Sequence, residues 1–245
     1  MKRLYHGGIY YFSWAVFGTV GLALNAACAV LLLLPGREAR GPAVRAAIRR
    51  LFAAWVRWLH FTRMVEVVWH GPDPSGWPHP AVIVANHPSL IDATLLLGRL
   101  SETVCIFKPA LRRNPFLAPA AIMAGYLSSA GGIDFIHQVA AELANGRSVL
   151  IFPEGTRTTP GTACNPLKPG FALIARRAGV PVQVLVVRAD RELLPRGRAP
   201  WRLPEFPVRF DLYADRAVSA AENRSLDEIV RDVQDRFAEW LGAAP

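Results

Sequence analysis

Cysteine is scarce in this chain of 245 residues: only Cys28, Cys105 and Cys164 occur, far apart. Three scattered thiols build neither a disulfide framework nor a metal cluster, and they read as small apolar filler in a reducing compartment. Acidic residues are also few, 19 Asp and Glu against 28 Lys and Arg, for a formal net charge of +9. That balance suits an anionic partner: membrane lipid, coenzyme phosphates or an acidic carrier protein. Nucleic acid is set aside, because neither zinc-finger spacing nor an RNA-recognition motif occurs. There is no internal repeat and no low-complexity tract. No G-x-S-x-G elbow surrounds any serine, and no His/Cys/Glu cluster has zinc spacing, so the expectation is no metal and no bound cofactor.

Charge is missing altogether from Gly7 to Pro35. Within that interval Ile9 to Leu34 is almost wholly apolar; its 26 residues, at ~1.5 Å each, can cross a ~30 Å hydrocarbon layer. The run is too long for a signal-peptide core, and no small-residue cleavage site follows it. Tyr5, Tyr10, Tyr11 and Trp14 gather at one end as an interfacial belt would. Lys2 and Arg3 precede the run; Arg37, Arg40, Arg45, Arg49 and Arg50 follow it, against the single acid Glu38. If the segment spans, the positive-inside bias places the body of the protein in the cytoplasm, on the inner membrane. Val44 to Trp69 then mixes Arg49, Arg50, Arg57 and Arg63 with Leu51, Trp55, Trp58, Leu59 and Phe61. This reads as a basic amphipathic helix in the interface, or as a core helix with a solvated arginine face. A hairpin of both helices in one leaflet is the alternative to a full span. Residues 1–70 are therefore expected to form a membrane anchor, and 71–245 a catalytic domain, joined by the turn-rich run Gly71 to Pro80.

Five β-rich runs occupy the second part: Ala81–Asn86, Thr103–Lys108, Ser148–Phe152, Pro181–Arg188 and Val208–Tyr213. Helical patterns separate most of them, over Pro88–Leu100, Phe116–Tyr126, His137–Asn145 and Phe171–Ala178, the last two stopped by Gly146 and Gly179. A final helix begins at a capping box, Ser225 with Glu228, and carries a core-facing stripe from Leu226 to Leu241. The expected class is α/β: a mixed, largely parallel sheet flanked by helices, with an N-terminal hydrophobic helical anchor.

Two strand ends carry the chemistry. The first empties into Asn86-His87-Pro88-Ser89-Leu90-Ile91-Asp92. With Pro88 at the first position of a helix, His87 sits at the strand-to-helix corner, where α/β proteins place their sites. Asp92, in the first turns, leans back to one ring nitrogen and leaves the other free to take a proton from a hydroxyl. This is the base half of a Ser-His-Asp arrangement, with the nucleophile supplied by the substrate. Alone, the pattern reads sooner as a helix-capping histidine and a solvated first-turn acid. The second strand end empties into Pro153-Glu154-Gly155-Thr156-Arg157. Gly155 permits close backbone approach, Thr156 adds a donor, and Arg157 can grip an anion through parallel N–H bonds. Glu154 either orients Arg157 or meets a substrate hydroxyl, Lys168 adds a second cation, and the bland reading of the run is an ordinary turn.

Taken together, Asn-His-x-Ser-x-x-Asp followed by Phe-Pro-Glu-Gly-Thr-Arg resembles the glycerolipid acyltransferase superfamily, which includes the 1-acyl-glycerol-3-phosphate acyltransferases. The resemblance runs from about Ala81 to Arg188 and takes in Lys108, Gly131-Gly132-Ile133 and Gly179-Val180-Pro181-Val182. It implies transfer of an acyl group from acyl-coenzyme A or acyl carrier protein to the hydroxyl of a lysophospholipid such as 1-acyl-glycerol-3-phosphate. It further implies that His87 is the general base, Asp92 its partner, and Glu154, Gly155, Thr156 and Arg157 the head-group binders. Lys108 would support the phosphate or the developing oxyanion.

The family usually carries an arginine shortly after its Gly-x-x-Phe-Ile turn. Here Gly132-Ile133-Asp134-Phe135-Ile136-His137-Gln138 has none, and the next arginine is Arg147. One cation fewer turns attention to other hydroxylated acceptors, an aminolipid or a polyene-glycolipid. A non-catalytic lipid-binding relative is the reading from a different class. The Pro-rich stretch Arg188–Arg202 carries Arg191, Arg196 and Arg198 as well, and either meets an acidic carrier protein or anionic lipid or is a solvated loop.

Overall fold

The computed structural model describes residues 2–115, 117–199 and 201–242. The expected helix from Phe116 begins on a residue outside that set, as do the side chains of Lys2 and Arg3.

Two long helices come first, α1 (Lys2–Leu32) and α2 (Arg37–Phe61), folded back on each other. Gly36 makes the reversal at φ 81°, a left-handed value open to glycine. Arg40 closes the end of α1 by donating to the carbonyl of Leu31, in its last turn, and to those of Leu34 and Pro35 just beyond it. Along the hairpin Trp58 Nε1 donates to Ser13 Oγ (2.8 Å), and Trp14 and Phe17 lie against Trp55. The α1 stretch Leu4–Leu32 is long and apolar enough to cross a membrane, and only 11% of its most apolar window is buried. The apolar side of α2 faces inward: Ile48, Trp55 and Leu59 are buried while Arg50, Arg57 and Arg63 face out. The helix thus packs its apolar side against the domain core and leaves these arginines on the outer side.

Seven strands follow: β1 (Val65–His70), β2 (Val82–Ala85), β3 (Thr103–Phe107), β4 (Leu127–Ser128), β5 (Ser148–Ile151), β6 (Val182–Ala189) and β7 (Val208–Ala214). Their order is β1-β7-β6-β2-β5-β3-β4, parallel throughout except for β6 against β7. The sheet is mixed and mostly parallel, as expected. Two strands depart from expectation. The segment ending at Trp69 is helical only to Phe61; Arg63 takes φ 56°, and Val65–His70 pairs in register with β7. Thus β1 belongs to the sheet, and no gap marks the boundary expected at residue 70. The two-residue β4 is too short to leave a pattern.

The helices lie on both faces. Period-two alternation along β2 sends Ile83 and Ala85 to one core and Val82 and Val84 to the other. The first core is closed by Tyr10, Trp55 and Leu59 of the hairpin and by α3 (Asp92–Leu97). The second is closed by α6 (Ile133–Ala144), α7 (Gly170–Ala178) and α8 (Leu226–Gly242), whose Ile229, Val233 and Phe237 are buried. Two short helices, α4 (Pro109–Arg112) and α5 (Ala118–Met123), bridge β3 to β4, and α5 packs on α1 where Asn25 Oδ1 accepts from the Ala120 amide (3.0 Å). The capping box is present: Glu228 accepts from the Ser225 amide (2.7 Å) and Ser225 Oγ from the Glu228 amide (3.2 Å).

Candidate active site

The site is assembled where β2 and β5, neighbours in the sheet, both end. Asn86 leaves β2 by imitating a strand: its side chain donates to Val187 O (2.8 Å) and accepts from Val187 N (2.7 Å), extending the ladder to β6. The chain after it does not enter a helix at Pro88, as the sequence suggests; α3 begins at Asp92. Residues 87–91 form a loop instead, because its polar groups find partners elsewhere. Ser89 N donates to Asp92 Oδ2 (2.7 Å), and Ser89 Oγ donates to Leu193 O (2.6 Å). Ser89 is thereby a buried tie to the segment after β6.

This loop returns the imidazole of His87 over Asp92, with Nδ1 2.8 Å from Oδ2. Among the described residues Nε2 has no partner, and the His87 side chain is 18% exposed while that of Asp92 is fully enclosed. Burial pushes the Asp92 carboxyl up from its usual range, and the bonds from His87 and Ser89 oppose that shift. Its Oδ1 is buried without a hydrogen bond. A carboxylate so short of donors has a strong demand for the imidazolium, which is what a base gaining a proton requires. The ring also stacks on Phe152 at the end of β5, with centroids 4.2 Å apart.

Phe152 leads into the second motif, and the two loops are bolted together by Glu154. Its Oε1 accepts from the His87 amide (2.8 Å) and from Thr158 Oγ1 (2.8 Å), and its Oε2 from the Asn165 amide (2.8 Å). Thr158 N closes the joint by donating to His87 O (2.7 Å). Glu154 is 4% exposed, and both its oxygens are engaged by donors of the two loops. The placement differs from the head-group position expected for it, and it is intelligible: a buried carboxylate needs several donors, and three stand around it. Cys164 lies beside this carboxylate, and burial with that neighbour raises its thiol to about 12.

The rest of the motif is outward. Gly155 takes φ 67° and is exposed; a Cβ there would lie 2.8 Å from Lys168 Nζ, so the absent side chain is what admits the lysine. Lys108, at the end of β3, reaches Thr156 Oγ1 (3.4 Å). Lys108, Thr156, Gly155 and Lys168 thus form one polar rim carrying two ammonium groups. Lys168 stands beside Gly155 as the second cation that its short distance in sequence suggests. Arg157 is only partly available to an anion: its Nη1 donates to Leu194 O (2.8 Å) and Pro195 O (3.0 Å). A groove of about 230 Å³ runs beside the loop between Pro88, Thr158–Thr162 and Asp190–Leu193. A larger cleft of about 940 Å³ lies near the other end of the sheet, by Arg37, Arg45 and Arg147. His137, exposed on α6, takes no part. Among the described residues no three His, Cys, Asp or Glu side chains converge as metal ligands.

The fold is that of a lipid acyltransferase: the crystal structure of the 1-acyl-sn-glycerophosphate (LPA) acyltransferase PlsC from Thermotoga maritima superposes with a TM-score of 0.74, at 24% identity, over 98% of this chain and 95% of that one. A lyso-ornithine lipid O-acyltransferase of Pseudomonas aeruginosa is 33% identical over 192 residues, 76% of this chain and 70% of that protein. A chloroplastic 1-acyl-sn-glycerol-3-phosphate acyltransferase of Brassica napus is 30% identical over 123 residues, 48% of this chain and 36% of the plant protein. The Acyltransferase family model matches residues 66–188, and the chain belongs to that family. It is an acyltransferase of the lysolipid group.

Proposed function

We propose that this protein is a membrane-bound O-acyltransferase that moves a fatty acyl group from acyl-coenzyme A or acyl carrier protein to the hydroxyl of a lysolipid. The observation that carries the mechanism is the His87–Asp92 bond beside the lysine rim. His87 Nε2 takes the proton of the acceptor hydroxyl as its oxygen attacks the thioester carbonyl. The negative oxygen of the tetrahedral intermediate is stabilised by Lys108 or nearby amides. Collapse expels the thiolate, which recovers the proton from His87, and no residue is acylated. Glu154 holds the loop, while Lys108, Lys168, Thr156 and the free edge of Arg157 receive the head group. The apolar outer face of α1 associates with the membrane; the arginines after it support an inner-membrane position with the body on the cytoplasmic side.

A lysophospholipid such as 1-acyl-glycerol-3-phosphate is the first acceptor to consider, since several relatives bear that activity in their names. A specific pair of observations favours an amine-bearing acceptor of the lyso-ornithine kind. The match to the lyso-ornithine enzyme spans 192 residues against 123 for the plant enzyme. In addition, the first arginine after the turn at residues 132–136, where a phosphate-binding one is expected close by, is the distant Arg147, and the turn itself carries exposed Asp134, a partner for an ammonium group.

The test is a donor-by-acceptor matrix with detergent-purified full-length protein. Acyl-coenzyme A and acyl carrier protein are each paired with lysophosphatidic acid and with a lyso-aminolipid. Turnover at least tenfold faster on the aminolipid is expected. Preference for lysophosphatidic acid overturns the acceptor reading, and no turnover with any pair overturns the mechanism.

A further inference from the structure

Between β6 and β7 the chain runs from Asp190 to Pro207 with no helix or strand among its described residues. Within it Leu193, Leu194 and Pro195 are buried and fastened to the site. Leu193 and Leu194 pack in the core shared with the hairpin, and their carbonyls accept from Ser89 and Arg157. Leu194 adopts φ 52°, a costly value for a leucine, which those bonds hold in place. The later part lies along the beginning of α1. Tyr11 OH donates to Trp201 O (2.8 Å), Phe206 meets the rings of His6 and Tyr10, and Leu203 approaches Gly7.

The chemistry of that later part is specific. From Pro195 to Arg202 there are three arginines, Arg196, Arg198 and Arg202, and no acid. Trp201 is 71% exposed, and Tyr11, which bonds its carbonyl, is itself half-exposed. An indole in the open, flanked by guanidinium groups and continuous with an apolar helix face, matches the head-group layer of a bilayer: the ring lies among the upper acyl carbons and the cations among phosphates. A carrier protein would use the arginines and leave the bare indole without a role.

We propose that Trp201, Arg198 and Arg202 form a second membrane contact, for a bilayer that presents anionic phosphate head groups. It rests on the reading of α1 as membrane-associated. Because the same segment is tied to Ser89 and Arg157, the contact sets the mouth of the site at head-group level.

The full-length protein tests this with phosphatidylcholine vesicles, with and without phosphatidylglycerol. An environment-sensitive dye on Trp201→Cys, in a Cys164→Ala background, should shift to the blue when vesicles are added. The same dye on Glu222→Cys, exposed before α8 on the opposite face, should not. Arg198→Gln with Arg202→Gln should weaken binding to phosphatidylglycerol vesicles by roughly 25-fold, about fivefold per arginine, and leave neutral vesicles unaffected. No dye shift on vesicle-bound protein, or unchanged binding of the double variant, overturns the proposal alone. A double variant that binds vesicles normally but shows a raised KM for acyl carrier protein assigns the surface to that partner and likewise overturns it. Wild-type protein that neither vesicle retains overturns the membrane reading and this contact together.

Discussion

His87→Ala should fold, bind membranes and lose turnover by 10²–10⁴-fold, the range that a positioned general base contributes. The loss should fall on kcat, with the KM values for donor and acceptor changed little, because the imidazole is asked to act as the hydroxyl attacks and not to hold either substrate. Stability should survive. The ring is partly exposed, and what the change removes is one stacking contact with Phe152 and one bond to Asp92. Asp92 keeps the Ser89 amide, and with its carboxyl already raised by burial it can take up a proton and stay buried as a neutral acid. Steady-state kinetics with thermal unfolding of the same preparation check this. Turnover within tenfold of wild type would remove His87 from the mechanism.

Glu154→Gln should be nearly as damaging, for a different reason. The carboxylate accepts from three donors, His87 N, Thr158 Oγ1 and Asn165 N. An amide has one oxygen, so whichever way it is turned its NH2 group confronts a backbone N–H, from Asn165 or from His87. An unsatisfied buried donor costs about 1–3 kcal/mol, and the strain falls on the loop that aims the imidazole. The expected outcome is a lowered unfolding midpoint and a kcat reduced by about 10²-fold, the scale on which misplacing a reacting group by an ångström is felt, with the acceptor KM little changed. A head-group ligand would behave oppositely: the acceptor KM would rise and kcat would hold. The ratio of the two parameters therefore decides between the positions.

The two motif loops are legible from sequence because each joins a short apolar run to residues of unusual chemistry, and the parallel strands β2 and β5 bring such ends together. The bond from His87 to Asp92 follows from that spacing. The role of Glu154 does not, since a glutamate next to an arginine reads as its partner until the donors at His87, Thr158 and Asn165 are seen around it. The start of α3 was similarly hidden. Pro88 favours a helix start, but Ser89 spends its hydroxyl on Leu193 and its amide on Asp92, contacts supplied by a segment about a hundred residues away and by the next turn. β1 was masked by the absence of a glycine or proline after Phe61. The alternation of Val65, Val67 and Trp69 was the available sign, and the long arginine-rich helix before it overshadowed it.

The core that Tyr10, Trp55 and Leu59 share with Ile83, Ala85 and Leu212 has a practical corollary. A water-soluble version of this protein will not come from trimming the chain at residue 70. Such a cut strips β1 from the border of β7 and bares the floor beneath the hairpin, creating a sticky fragment where a dissolved one was wanted. The gentler route is to recode the outward positions of α1, among them Phe12, Val16, Val20 and Val30, with hydrophilic residues, keeping Tyr10 and Cys28 as they are.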